Sequence, residues 1–395
     1  MSEVQFDRAR LEDCDDVIDF GDFVFSKAHV PHDFLGLLPK LYKREYFMEG
    51  IHYLARENEK IVAAVGAYPM KLEFSGGPSL PGRGIGMVSV HPRSRSKGYM
   101  KALMNMALED MKKDGMVFSC LGGQRQRYEY FGYTPVGNTY AFTARESNFR
   151  HAMGREWNTS LSLRAVKAED KSILDRIQAL HEAKSIRYYR SRDKLFDILS
   201  SWNAKVFAFF EGEHFKGYLV SKLASNDIVE INLEHPSRLC EAIGLFSRTL
   251  HEKSGQDSIM IFAGPHEEER ITTLSKFAER CSQTSAYQFN VFNIKALVEP
   301  FVKFKAAQQA LADGSFVLSI KGQSKDQSNL QLSVRGGEIK VSESSSPPDL
   351  SLDPMEAVNF FFSPLSTITN PKIRESVFLQ SLLPLPLFFE NIDGI

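Results

Sequence analysis

Charge of one sign is what this chain lacks overall: 48 Lys and Arg stand against 49 Asp and Glu, a formal net charge of −1. That balance excludes a general nucleic-acid binder, whose affinity rests on a basic surface meeting phosphates. Cysteine is scarce as well. Cys14, Cys120, Cys240 and Cys281 are widely spread, with no CxxC pair and no histidines at zinc spacing. A disulfide scaffold and a cysteine-held metal are both excluded, and no metal is expected. The pattern is that of reduced thiols in a cytosolic protein. No apolar run approaches the ~18 residues a membrane span requires. The amino terminus, MSEVQFDRARLEDCDD, is too acidic and polar for a signal peptide. The chain reads as cytoplasmic, with neither membrane nor nucleic acid as a partner.

One absence is local. No Asp or Glu occurs between Glu73 and Glu109, while Arg83, Arg93, Arg95, Lys97 and Lys101 all fall there. Inside this window lies the most informative stretch, residues 87–111, MVSVHPRSRSKGYMKALMNMALEDM. A short β-like run meets a basic turn, Arg95-Ser96-Lys97-Gly98. A helix follows with apolar positions at Tyr99, Met100, Leu103, Met104, Ala107, Leu108 and Met111. That stripe suits a helix lying on a sheet. Unpaired amides at the helix start, the positive end of its dipole and added cations make an anion site. Gly98 lets a ligand approach the backbone, since no Cβ stands in the way. RxxG alone is a weak pattern, and a surface helix with a basic cap has the same spacing. The preceding strand and the charge asymmetry favour a phosphate-bearing ligand.

At 395 residues the chain is long enough for two or three domains. The first unit reads as α/β, with a strand at residues 6–10, a helix at 12–25, a hairpin around Asn58-Glu59-Lys60, and an apolar strand at 117–121. A second unit begins near Leu161, where SLRAVKAEDKSILDRIQALH repeats the opening of FDRARLEDCDDVIDF. Its counterpart of the basic turn, INLEHPSRLCEAIGLF, has no RxxG and carries Glu234 and Glu241. It reads as a copy that lacks the phosphate site. A third unit, from about Phe292, alternates like antiparallel strands and then forms a helix over 353–362. The end, SLLPLPLFFENIDGI, is apolar and stiffened by Pro384 and Pro386, so it should pack rather than fray.

Downstream of the basic turn stands Tyr128-Glu129-Tyr130-Phe131-Gly132-Tyr133. Strand, basic turn, helix, strand and YxxFGY, in that order, resemble the GNAT acyltransferase superfamily. Within it the chain is similar to the enhanced intracellular survival (Eis) acetyltransferases. The likeness spans the chain in domain order, and its specific motifs lie between about residues 85 and 135. Met100 departs from the superfamily pattern, standing where a small residue is usual.

The resemblance implies an α/β (α+β) fold of two tandem GNAT-like mixed-sheet domains followed by a sterol-carrier-like α+β domain. The expected bounds are 1–150 for the catalytic domain, 151–290 for a copy without the cofactor loop, and 291–395 for the last. It implies acetyl-CoA as co-substrate and a small-molecule or peptidic amine as acceptor. Val88, Ser89 and Val90 would pair with the pantetheine arm. Arg95, Ser96, Lys97, Gly98, Tyr99 and Met100 would cradle the pyrophosphate, with Arg93 and Lys101 either reaching the adenosine phosphate or solvated.

Transfer needs a base, because an alkyl ammonium has a pKa near ~10, and an acid for a thiolate whose thiol has a pKa near ~8.5. The resemblance gives Tyr128 as the acid and the terminal carboxylate of Ile395 as the base, although relatives end on an aromatic residue. His29 and His32 fall in the segment that lines the acceptor pocket in relatives, and a homo-hexamer is familiar among them. Tyr130 and Tyr133 read as packing, Cys120 as core filler, His91 as a cap, and Glu267-Glu268-Glu269 as a solvated helix start. A longer-chain acyltransferase and a non-catalytic lipid- or CoA-binding scaffold are the competing readings.

Overall fold

The computed structural model describes residues 4–27, 31–154, 156–255, 257–285, 287–321 and 329–395. Six strands come first: β1 (Val4–Arg8), β2 (His52–Glu57), β3 (Lys60–Phe74), β4 (Ser79–Val90), β5 (Phe118–Leu121) and β6 (Thr134–Val136). Among them run helices α1 (Cys14–Phe25), α2 (Phe34–Leu37), α3 (Pro39–Tyr42), α4 (Tyr99–Lys113) and α5 (Arg125–Tyr128). The second stretch supplies β7 (Thr139–Arg145), β8 (Leu161–Ala165), β9 (Ile186–Tyr188), β10 (Ala204–Glu211), β11 (His214–Lys222), β12 (Ile228–Leu233), β13 (Ser258–Ala263), β14 (Arg280–Thr284) and β15 (Tyr287–Val291).

Two sheets result, and their orders match position by position. The first runs β1-β2-β3-β4-β5-β15-β6, with β9 added on β3, and the second runs β8-β10-β11-β12-β13-β7-β14. Both are antiparallel except at one central pair, β4 with β5 and β12 with β13. The sheets exchange strands across the expected boundaries at 150 and 290. β7 is inserted between β13 and β14, and β15 between β5 and β6. Each sheet therefore needs a strand from the other stretch of chain to satisfy the backbone groups of its neighbours.

The helix stripe read from residues 99–111 is the stripe α4 buries: Leu103, Met104, Ala107, Leu108 and Met111 face the first sheet. α1 covers the other face with Val17, Phe20 and Val24. The third sheet, β18-β17-β16-β19, comprises β16 (Gly314–Ile320), β17 (Asn329–Arg335), β18 (Glu338–Ser344) and β19 (Leu350–Leu352). The helix over Pro354–Phe362 starts in a capping box, Asp353 accepting from the Glu356 amide at 2.8 Å and Glu356 accepting from the Asp353 amide at 2.9 Å. Its Phe361 shares a core with Phe118, Phe289 and the tail residues Leu385 and Phe389, which joins this region to the first sheet. The apolar carboxyl end is buried through Leu383, Leu385, Leu387, Phe389 and Ile392.

The Glu267-Glu268-Glu269 run behaves differently from a solvated start. Glu268 and Glu269 are exposed, but Glu267 accepts from the Gly264 amide at 2.8 Å and pairs with Arg270 at 2.8 Å. Those charge-assisted bonds, together with Arg270, hold its carboxyl below the usual glutamate range despite burial.

Candidate active site

The site begins with a fault in β4. Ala64 and Gly66 of β3 face Ser89 and Gly86 of β4, so two steps on one strand oppose three on the other. Met87 takes up the extra residue at φ 50°, a bulge that bends the strand. β4 and β5 pair only as far as Gly84 with Cys120. Past that point they part, and among the described residues no strand pairs with the edge of β4 through Val88 and Val90. An extended ligand with amides can pair there. Ser89 is buried, pointing to the other side from the half-buried Val88 and Val90.

The gap opens into a groove of about 700 Å³ lined by Val88, Val90, Ser94, Arg95, Ser96, Gly98, Tyr99, Met100, Lys101, Arg127 and Tyr130. Gly98 is the N-cap of α4 at φ 84°, with no side chain capping the first turn and open space where a Cβ would stand. The first amides of a helix of 15 residues therefore face the groove. Successive amides suit a diphosphate.

The expected cluster of five cations does not all gather at this groove. Arg83 lies at the far end of α4, bonded to Asp114 at 3.3 Å. Lys97 is held by Glu57 at 2.7 Å, and Tyr99 donates to the same Glu57 oxygen at 2.5 Å. Glu57 comes from β2, so the acid-free window in sequence is not acid-free in space. Arg95 is exposed and makes no ion pair with a described residue. Lys101 sits 4.7 Å over the ring of Tyr130. Tyr130 is 65% exposed, so it is a wall of the groove and not a packing residue. His91 does cap, accepting from the Arg93 amide at 3.2 Å.

The groove continues past Val88 and Arg127 into a cavity of about 880 Å³. Tyr128 and Ile395 both line it, as do His32, Phe34, Tyr42, Trp202, Lys222 and Tyr287. Tyr128 is 6% exposed and packs edge-on to Tyr133, whose hydroxyl meets Ser119 at 2.7 Å. Burial pushes the Tyr128 hydroxyl above the ordinary tyrosine range, and Arg127 pulls the other way. It is a protonated group at neutral pH. Cys120 is wholly buried, and burial raises its thiol as well, as suits core filler.

The chain end reaches this cavity because other groups hold it. Ile395 lies on the two small residues that precede the bulge: a Cβ built on Gly86 would stand 2.6 Å from its Cγ2. Trp202 Nε1 donates to the Gly394 carbonyl at 3.0 Å, and Lys40 Nζ to that of Ile392 at 2.7 Å. The Tyr287 hydroxyl lies close to the backbone at Gly122 and Ile395. Trp202 and Asn203 have φ of 60° and 52°, conformations that bulky residues adopt only when the surroundings enforce them. Here the Trp202 amide donates to the Leu37 carbonyl at 2.6 Å, tying the second stretch to α2.

Behind the tail lies a buried ion network. Arg190 pairs with Glu230 at 2.8 Å, Asp393 at 2.8 Å and Glu390 at 3.1 Å, and Lys184 with Glu390 at 2.6 Å. His181, Glu230 and Glu390 bring ligand atoms within 4.8 Å of one another. Arg190 and Lys184 already supply the positive charge there, so the cluster is an ion-pair clasp on the tail.

Residues 5–136 match the family described as an acetyltransferase (GNAT) domain. The N-terminal unit is thus similar to GNAT acetyltransferase domains. No curated protein matches the chain in sequence. Its fold is similar to that of a probable N-acyltransferase from Enterococcus faecalis, at 16% identity, TM-score 0.68 and 98% coverage of each chain. It is also similar to a GCN5-related N-acetyltransferase from Anabaena variabilis (15%, TM-score 0.66, 100% of each chain) and to Eis1 from Mycobacterium abscessus (14%, TM-score 0.62, 100% of each chain). The fold class is accordingly mixed α/β, with tandem GNAT-like sheets and a further α+β region. The free β4 edge and the open start of α4 suit an extended ligand with amides and a diphosphate.

Of the residues expected from sequence, Val88, Val90, Arg95, Ser96, Gly98, Tyr99 and Met100 line the groove, and His32, Tyr128 and Ile395 line the cavity. Lys97 lies beside the groove on Glu57. His29 lies outside the described residues. Sequence reading missed Arg127, Trp202, Lys222 and Tyr287. Arg127 was within reach, being next to Tyr128. The other three come from the second stretch of chain, and no local pattern marks them.

Proposed function

We propose that this protein transfers the acetyl group of acetyl-CoA directly to a primary amine of a small molecule or peptide. Val88, Ser89, Val90 and residues 95–100 hold the donor, Tyr128 protonates the departing thiolate, and the terminal carboxylate of Ile395 takes the proton of the amine. His32 is a substrate contact. The observation that carries this reading is the meeting of Tyr128 and the chain's last residue in one cavity, at the end of a groove that starts on bare helix amides. A buried tyrosine hydroxyl keeps its proton at neutral pH, so it is in the donor form when the thiolate departs, and the acid for this step need only be modest. The sterol-carrier-like region, 291–395, serves here to deliver the tail to the cavity.

The test is an amine-library screen followed by free thiol release, run on wild type and on a variant extended by a few residues after Ile395. Extension moves the carboxylate off its seat without touching the core. The expected result is turnover in wild type and loss of it in the extended variant, with an unchanged melting temperature. A fully active extended variant removes Ile395 from the mechanism.

A further inference from the structure

The acceptor end of the cavity has an unusual charge for a site that must receive an amine. Among its described lining residues there is no Asp or Glu side chain. Its walls are apolar and aromatic, with Phe34, Leu38, Tyr42 and Trp202 among them, and its charged side chains are Arg127 and Lys222. Arg127 stands where the cavity meets the donor groove, since it lines both. Lys222, at the end of β11, stands on the acceptor side next to Trp202. Its Nζ donates to the Trp202 carbonyl at 3.2 Å and lies 5.9 Å from the Trp202 ring. It forms no ion pair with a described residue, although it is half-buried. An ammonium has three donors, so this one bond leaves two for a further acceptor. Burial without a counter-ion lowers its pKa to about 8. An anion brought into the cavity would remove that cost, whereas a second cation would add to it.

We propose that the acceptor is an amine on an apolar or aromatic body that also bears a carboxylate, and that Lys222 is the residue that selects the carboxylate. This rests on the acetyl-transfer reading above. Polyamines and other polycations are disfavoured, because only the terminal carboxylate would answer their charge.

The experiment compares kcat/KM for phenylalanine, 4-(2-aminoethyl)benzoate, phenethylamine and spermine with acetyl-CoA, by thiol release. Wild type, Lys222→Met and Lys222→Arg are run side by side, with acetyl-CoA binding measured by calorimetry on each. A carboxylate-bearing member should exceed phenethylamine and spermine by about tenfold, the worth of one charge-assisted hydrogen bond. Lys222→Met should collapse that ratio and Lys222→Arg should restore it. A preference for spermine, or a ratio that Lys222→Met leaves in place, overturns the proposal. Binding of acetyl-CoA with no turnover of any member overturns it too, leaving the donor site standing. Absence of acetyl-CoA binding would instead overturn the underlying acetyl-transfer reading, and this proposal with it.

Discussion

Tyr128 carries the chemistry proposed for this site, and its surroundings say how it should respond to change. It is buried, set against Gly123 and Tyr133, and its hydroxyl is the only part a Phe would lack. Tyr128→Phe should keep the fold and the KM for acetyl-CoA while kcat falls about 10²- to 10⁴-fold, the range for loss of a general acid. Steady-state kinetics with the best amine from the screen decides it; equal kcat in the two proteins would move the acid elsewhere. Tyr287→Phe is a gentler probe. It removes a hydroxyl that touches the backbone at Ile395, so it should lower kcat about tenfold or less, one hydrogen bond's worth. Tyr128 was legible only through the family resemblance, by its place before Phe131-Gly132-Tyr133. Tyr287 has no such marker, because its role depends on which strand β15 pairs with.

Among elements, β4 does the most. Its bulge at Met87 bends the strand, its edge beyond the last β5 pair at Gly84 is where the donor is proposed to lie, and Gly84 and Gly86 leave room for Ile395. Gly86→Ala tests the last point. Its φ is not in the left-handed region, so the penalty is steric: the added Cβ stands 2.6 Å from Ile395 Cγ2 and 3.2 Å from the Tyr68 ring. Overpacking costs about 1–3 kcal/mol, and here the neighbour that must give way is the chain end. The expected outcome is a modest fall in melting temperature with a larger fall in kcat; full activity would show that the seat of Ile395 is not needed. The helix after β4 was legible because amphipathic spacing is a local code. The bulge was not, since a run such as MVSV reads as regular strand until its partner is known.

At the scale of the whole molecule, the exchange of β7 and β15 explains most of what local reading could not supply. Each segment was recognisable as a strand. Its partner lies more than a hundred residues away, however, and periodicity holds no information on which edge will take it. The same holds for Glu57, which neutralises Lys97 from another strand, and for Trp202 and Lys222, which reach the cavity from the second stretch. Burial of the tail was legible, because an apolar end with two prolines has little reason to be solvated. What holds it, Arg190 and Lys40, was not.

The interlocked fold also buries histidines that the sequence could not have told from surface ones. His52 is inaccessible to solvent, with its Nε2 2.9 Å from the Tyr68 hydroxyl and its ring stacked on Phe47. Burial lowers its pKa to about 3, and that of His266 to about 4, from 6.5. Below pH 6.5 the unfolded chain takes up protons that the folded chain refuses, so stability is full above that pH and declines as pH falls toward 3. Each such group contributes a slope of about 1.4 kcal/mol per pH unit, or about 2 kcal/mol between pH 6.5 and 5. His52→Gln keeps a hydrogen bond to Tyr68 and cannot titrate. Urea midpoints at pH 6.5 and 5 should therefore show a smaller acid loss in the variant than in wild type, by about that 2 kcal/mol. Equal losses would mean that His52 takes up its proton in the folded state, and that the stack of Phe47, His52 and Tyr68 opens well before the rest of the first sheet.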